Sequence, residues 1–333
     1  MKIKTTLLLL ILVTTSALLL NSCKKKKDEA PVAATTPPTA FVACAPNTVF
    51  NSGTATGARL IFKFKFDSTQ VRLDGVGNPS TVAPGNAALS PKFNFMSQHY
   101  IELAGDLDSL GKGTVLYIGT QTTAGGATAI DYCASTQTAE NVVFFSKPLS
   151  QITPGTYKWL RVSLACQNYN ITYKASVLPG NQLGTGTLAS FIGFKTYIKG
   201  YQVNGNSYQP STSAGGAGNH FQGYWGFETT VSGVNYFADG QSTGATTVPN
   251  PLFASSPIPA GSCVVTGQFV DNTMANSPLV ITGSETSDII ITVSLSTNKS
   301  FEWQEVTADG YYQPEIGETV VDMGIRGLIP IKN

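Results

Sequence analysis

Histidine is almost missing from this chain, with two among 333 residues, and charged side chains make up only 12%. Nucleophile–base catalysis needs a serine or cysteine beside a histidine that an acid orients. Only His99 and His220 are available for that role, and no Gly-x-Ser-x-Gly elbow accompanies either. Glycoside chemistry needs only two carboxylates, and Glu228, Asp239, Glu302 and Glu305 supply them formally. Acids of that kind sit on the strands of any β-protein, so no enzyme is expected. A close Cys-x-x-Cys pair is absent, which removes the usual zinc or thiolate site. No amphipathic helix of three turns can be found, and most of the strong helix formers are scarce. The longest apolar run, from Leu7 to Leu20, is about 14 residues against the roughly 20 that span a bilayer.

What is present begins with that run. Lys2 and Lys4 precede it, and Leu20-Asn21-Ser22-Cys23 closes it, followed by Lys24 to Lys27 and then Asp28-Glu29. A positive start, an apolar core and small residues before a cut describe a secretory signal. The Leu-x-small-Cys ending resembles the lipobox of bacterial lipoproteins, so residues 1–22 are expected to be a lipoprotein signal peptide and Cys23 the lipidated residue. Several acyl chains on one cysteine hold firmly, at about 0.8 kcal/mol per buried methylene. The tether start resembles those of Bacteroidetes lipoproteins, in which acids just after a lysine mark export to the cell surface. An outer-membrane anchor with the body at the cell surface is therefore expected.

Six of the 21 basic residues lie in this segment, leaving 15 against 20 acidic ones from Asp28 onward. The body is mildly acidic, which takes away the electrostatic footing for nucleic-acid binding. The four clustered lysines suit anionic head groups. Residues 23–57 read as a tether rich in lysine and proline, and residues 58–333 as the folded domain.

That domain, with 33 glycines and 18 prolines in the whole chain, reads as all-β. Arg59 to Phe66 alternates cleanly, with Leu60, Phe62, Phe64 and Phe66 on one face and Lys63 and Lys65 on the other, the pattern of a half-buried strand. Phe93 to Leu103, Thr114 to Thr120 and Thr156 to Cys166 follow, with Gln167-Asn168 read as a turn into a hairpin partner at Ile171 to Val177. About a dozen strands at such spacing predict a β-sandwich. Four cysteines past the anchor, Cys44, Cys133, Cys166 and Cys263, predict two disulfides whose connectivity the sequence leaves open.

Several blocks, in order, resemble the MbnP-like family of exported copper-protein relatives. They are Leu60 to Phe66, Ser90 to Leu103, Thr153-Pro-Gly-Thr-Tyr-Lys-Trp-Leu-Arg-Val-Ser-Leu164, Gln222-Gly-Tyr-Trp-Gly-Phe-Glu228 and Ile289 to Phe301. The resemblance implies a β-sandwich and, in some members, a copper site of histidine and an oxidised tryptophan. Here His220 and Phe221 stand where that family has tryptophans. Copper would take His99 and His220, with water, Met96 or a modified Trp225 as the third ligand. The expected reading needs no cofactor, with both histidines ordinary strand or loop residues, and copper is its alternative.

Aromatic density is the remaining signal. Nine aromatic residues between Tyr197 and Phe237 crowd beside the glycine-rich loop Gly215 to Gly218. Exposed aromatics on a β-scaffold stack on sugars or anchor protein partners, and Tyr224 and Trp225 are the binding-surface candidates. The expected function is a non-catalytic binding or accessory module with an envelope protein or glycan as partner. A copper-binding relative and a structural subunit of an envelope or transporter complex are the alternatives.

Overall fold

The computed structural model describes residues 32–33, 44–107, 110–175, 183–242, 254, 258–259 and 261–333. The signal peptide, Cys23 and most of the tether lie outside the described residues. The chain is 51% strand and 3% helix, so the all-β expectation holds.

β2 (Arg59–Asp67) shows how the sequence builds its strands: Leu60, Phe62 and Phe64 are fully buried on one face while the lysines between them face out. It pairs in parallel with β21 (Ile289–Ser296) and antiparallel with β9 (Val143–Pro148), and β24 (Leu328–Lys332) completes the sheet. A three-stranded sheet of β23 (Thr319–Asp322), β22 (Phe301–Gln304) and β3 (Asn86–Leu89) also feeds this layer. Facing both is the largest sheet. Its order is β1 (Val32–Ala33), β18 (Val234–Gln241), β17 (Tyr224–Val231), β12 (Leu183–Phe191), β11 (Trp159–Lys174), β4 (Lys92–Ala104) and β5 (Thr114–Ile118). β19 (Cys263–Gln268) joins it on β11, and β8 (Gln137–Thr138) on β4. The two layers enclose one core in which Phe62, Phe144, Leu160, Val162, Val293, Phe301 and Trp303 are almost wholly buried. The ribbon of β10 (Gly155–Tyr157) and β20 (Leu279–Ile281) adds Tyr157 and Leu279 to it.

The other face of the large sheet is covered as well. A small sheet of β16 (Gly218–Phe221), β13 (Lys195–Ile198), β7 (Ala129–Asp131) and β6 (Gln121–Thr122), with the ribbon β14 (Tyr201–Gln202) and β15 (Ser207–Tyr208), forms a thinner third layer. Its core is rich in tyrosine: Tyr132, Tyr201, Tyr208 and Tyr224 gather with Phe191 and Cys166.

β11 organises both faces. Gln167 and Asn168 do not turn the chain, as the sequence suggested; they lie inside one 16-residue strand. Their amide nitrogens find partners in place, Gln167 Nε2 donating to the Met323 carbonyl and Asn168 Nδ2 to the Val203 carbonyl, so no turn is needed to solvate those donors. The register against β4 slips around Leu164 and Cys166. Before this irregularity Leu160, Val162 and Leu164 face the main core; after it Tyr169, Ile171 and Tyr173 do.

That bulge corrects the second expected disulfide. Cys44 and Cys133 are bridged, but Cys166 and Cys263 are free and buried. Cys263 pairs with Leu164 and shares its main-core face, whereas Cys166 packs in the tyrosine-rich cluster across the sheet. Thiols on opposite faces of one sheet cannot meet. The folded body also begins before residue 58: Cys44 is bridged to Cys133, Asn47 pairs with Thr136, and Phe50 packs on Tyr117 and Phe145.

Candidate functional site

β17 carries the two candidate aromatic residues next to each other, and strand alternation sends them to opposite layers. Tyr224 is fully buried, which corrects its expected place on a binding surface. Its hydroxyl meets that of Tyr201 at 3.0 Å and donates to Asp239 Oδ2 at 2.8 Å, and its ring lies 4.1 Å from the His220 ring. Asp239 also accepts from the Ser211 amide. The Tyr224 hydroxyl is engaged by both Tyr201 and Asp239, and burial drives it far above its ordinary pKa, so it stays protonated. The cluster is a closed structural network.

Trp225 faces the main-core side and lies at the edge of a small, partly open apolar recess. Trp225, Phe227, Leu188, Tyr173 and Ala238 come from the large sheet, and Ser242 follows β18 directly. Phe301, Tyr312, Pro314, Val320 and Met323 come from the opposing layer. The recess therefore opens between the two layers of the sandwich, where β17 and β18 reach past the facing strands.

Local sequence explains why the large-sheet side is flat. A Cβ on Gly240, directly across from Trp225, would sit 2.9 Å from its indole, and one on Gly186 would sit 2.1 Å from the Phe227 ring. Both rings lie across neighbouring strands because glycine leaves the room. On the other side Phe301 and Tyr312 pack edge to face at 5.1 Å. β22, which carries Phe301, is pinned by Arg72 and Arg326, which both donate to Glu302 Oε2, at 3.1 and 3.2 Å. Such buried pairs fix position more than they add stability. The Tyr173 hydroxyl is already bonded to Thr229 Oγ1 at 3.0 Å. With no acid or base in its lining, the recess suits an apolar or aromatic group. Tyr311 and Ile316, both more than 40% exposed, flank the segment that supplies Tyr312 and Pro314.

The metal candidates are not brought together. His99 is fully buried at the point where β4 slips against β11, its Nε2 paired with the Gln121 amide at 2.9 Å; burial pushes its pKa down to about 4. His220 Nε2 pairs with the Gly216 carbonyl at 2.8 Å on β16, and burial lowers its pKa as well. Gln121 and His220 occupy one row across the small sheet, three strands apart, which is about 14 Å of backbone. Met96 and Trp225 belong to the main-core side of the large sheet, away from both histidines. Among the described residues no group of three or more His, Cys, Asp or Glu gathers as a metal site. The formal acid candidates hold structure: Glu228 accepts from the Asn204 amide and Asn206, and Glu302 from two arginines.

Sequence reasoning found one side of the recess through its aromatic density and missed the other. Tyr311-Tyr312-Gln313-Pro314 was the available signal, an aromatic pair before a proline with no strand alternation to bury it. Comparison with known proteins adds no assignment, since no family model, no curated protein and no solved structure matches this chain.

Proposed function

We propose that this chain is a lipoprotein anchored in the outer membrane through Cys23, its body at the cell surface, acting as a non-catalytic binding module. The signal layout and the four lysines after Cys23 support the anchor. The Cys44–Cys133 bridge fits an oxidising compartment.

The observation that carries the binding role is the recess, with Trp225, Phe227 and Tyr312 in its walls. An apolar side chain of an envelope protein suits it better than a glycan, because sugar recognition needs several free polar groups beside the stacking ring and this lining is almost wholly apolar. A structural role within an envelope complex is the same contact made permanent.

The test has two arms. Alkynyl-palmitate fed to cells should label the parent chain and not a Cys23→Ser variant. The hydrophobic dye N-phenylnaphthylamine should bind the purified protein saturably at one site. An Ala238→Phe variant, which fills the recess, should lose that binding while keeping its melting temperature within a few degrees. Equal dye binding by both proteins overturns the recess as the site.

A further inference from the structure

The recess has an unguarded strand at its edge. β18 reads Val-Asn-Tyr-Phe-Ala-Asp-Gly-Gln, with neither lysine nor proline, the residues that usually protect an edge from pairing. Its inner side pairs with β17 along all eight residues. Among the described residues its outer side pairs only with β1, and only through Val32 opposite Phe237 and Ala33 opposite Tyr236. Among the described residues, most of the outer ladder of β18 has no strand partner.

Tyr236 packs against the main core and Ala238 lines the recess, so these alternate positions of β18 face the recess side. A strand added antiparallel to β18 would set alternate side chains toward that side, beside Ala238. The chain already places two of its own residues there, which shows that the edge accepts an extended segment in this orientation.

We propose that β18 is a strand-acceptor edge, held by Val32–Ala33 in the resting protein and taken in trans by an extended, alternating apolar polypeptide segment of an envelope partner. The segment pairs with the backbone of β18 and inserts one apolar side chain into the recess. This deepens the binding role proposed above and rests on it. Among the described residues the plug pairs through two positions, and an incoming strand that pairs along more of β18 gains more backbone hydrogen bonds than those two positions give up. Binding of the partner therefore releases the tether from the edge.

The test locks the plug. In the full chain with Cys166→Ser and Cys263→Ser, two variants are made, Val32→Cys with Phe237→Cys and Ala33→Cys with Tyr236→Cys, so that one places its cysteines at the closer kind of antiparallel pair. The probe is a short fluorescein-labelled peptide alternating threonine with valine, followed by fluorescence anisotropy. The expected result is a disulfide in at least one variant, peptide binding weakened about tenfold or more in that oxidised form, and recovery on reduction. No disulfide in either variant, or equal peptide binding before and after reduction, overturns the strand-acceptor reading. Dye uptake, measured on the same samples, reports the recess separately: its loss in the parent chain would count against the binding site itself.

Discussion

Tyr224 and Trp225 are consecutive residues of one strand and serve opposite ends. Tyr224 enters a network of named contacts: its hydroxyl meets Tyr201 and Asp239, Asp239 accepts from the Ser211 amide, and His220 beside it pairs with the Gly216 carbonyl. Trp225 enters the mouth of the other layer, where the sheets part and its indole rests over Gly240 with apolar surface to spare. Both neighbourhoods are aromatic-rich, so aromatic density alone does not mark a binding site. What separates them is whether the aromatic surface has been consumed by the fold. Around Tyr224 it has, and substitutions there should register as stability. In the recess it has not, and substitutions there should register as affinity.

The largest effect should come from Tyr224→Ala, which empties a fully buried aromatic site and breaks two hydroxyl contacts. A loss of about 3–5 kcal/mol is expected in urea denaturation, with dye affinity at the recess changed less than about twofold in the fraction that stays folded. Next, Cys44→Ser with Cys133→Ser opens a loop of 89 residues on the closed side. About 3–4 kcal/mol should be lost, read as a lower urea midpoint, again with dye uptake intact.

Acid should divide the two regions in a third way. His99 is held neutral by burial, with its folded pKa lowered to about 4 from an ordinary value of 6.5. A lowered folded pKa means that the unfolded chain binds the proton first. The contribution is complete above about pH 6.5 and is lost as pH falls toward about 4, at most about 3 kcal/mol in all. His220, shifted the same way, adds to this loss. A His99→Gln variant should show a flatter stability profile across that window, measured as melting temperature against pH. The recess has no acid or base in its lining, so dye affinity should stay level from about pH 7 to about pH 5. A pH-dependent affinity in folded protein would blur the division.

Some of this was legible in the sequence and some was not, for identifiable reasons. The alternation of Leu60, Phe62 and Phe64 placed β2 and its buried face directly, because a period of two has one structural meaning. Gln167-Asn168 misled because polar residues inside a buried strand look like a turn until their distant partners, the Met323 and Val203 carbonyls, are known. Four cysteines suggested two bridges, but a one-residue irregularity in β11 turned Cys166 to the other face, and no local pattern announces that slip. The pair Tyr224-Trp225 was visible as candidate aromatic surface. Alternation says that the two residues face opposite ways, but not which way is open. That depended on Phe301, Tyr312 and Met323, which reach the recess from the far end of the chain. The lipid anchor proposed at Cys23 rests on local sequence, and labelling in cells tests it.

The most direct measurement is N-phenylnaphthylamine affinity for the parent protein, Trp225→Ala and Tyr224→Phe, alongside their urea midpoints. Half-buried Trp225 should cost no more than about 1–2 kcal/mol on truncation, yet weaken dye binding about tenfold or more. Tyr224→Phe should cost about 1 kcal/mol through its lost hydroxyl contacts and leave dye affinity unchanged. Equal weakening of dye binding by both variants, or none by Trp225→Ala, would contradict the assignment of the recess as the binding site.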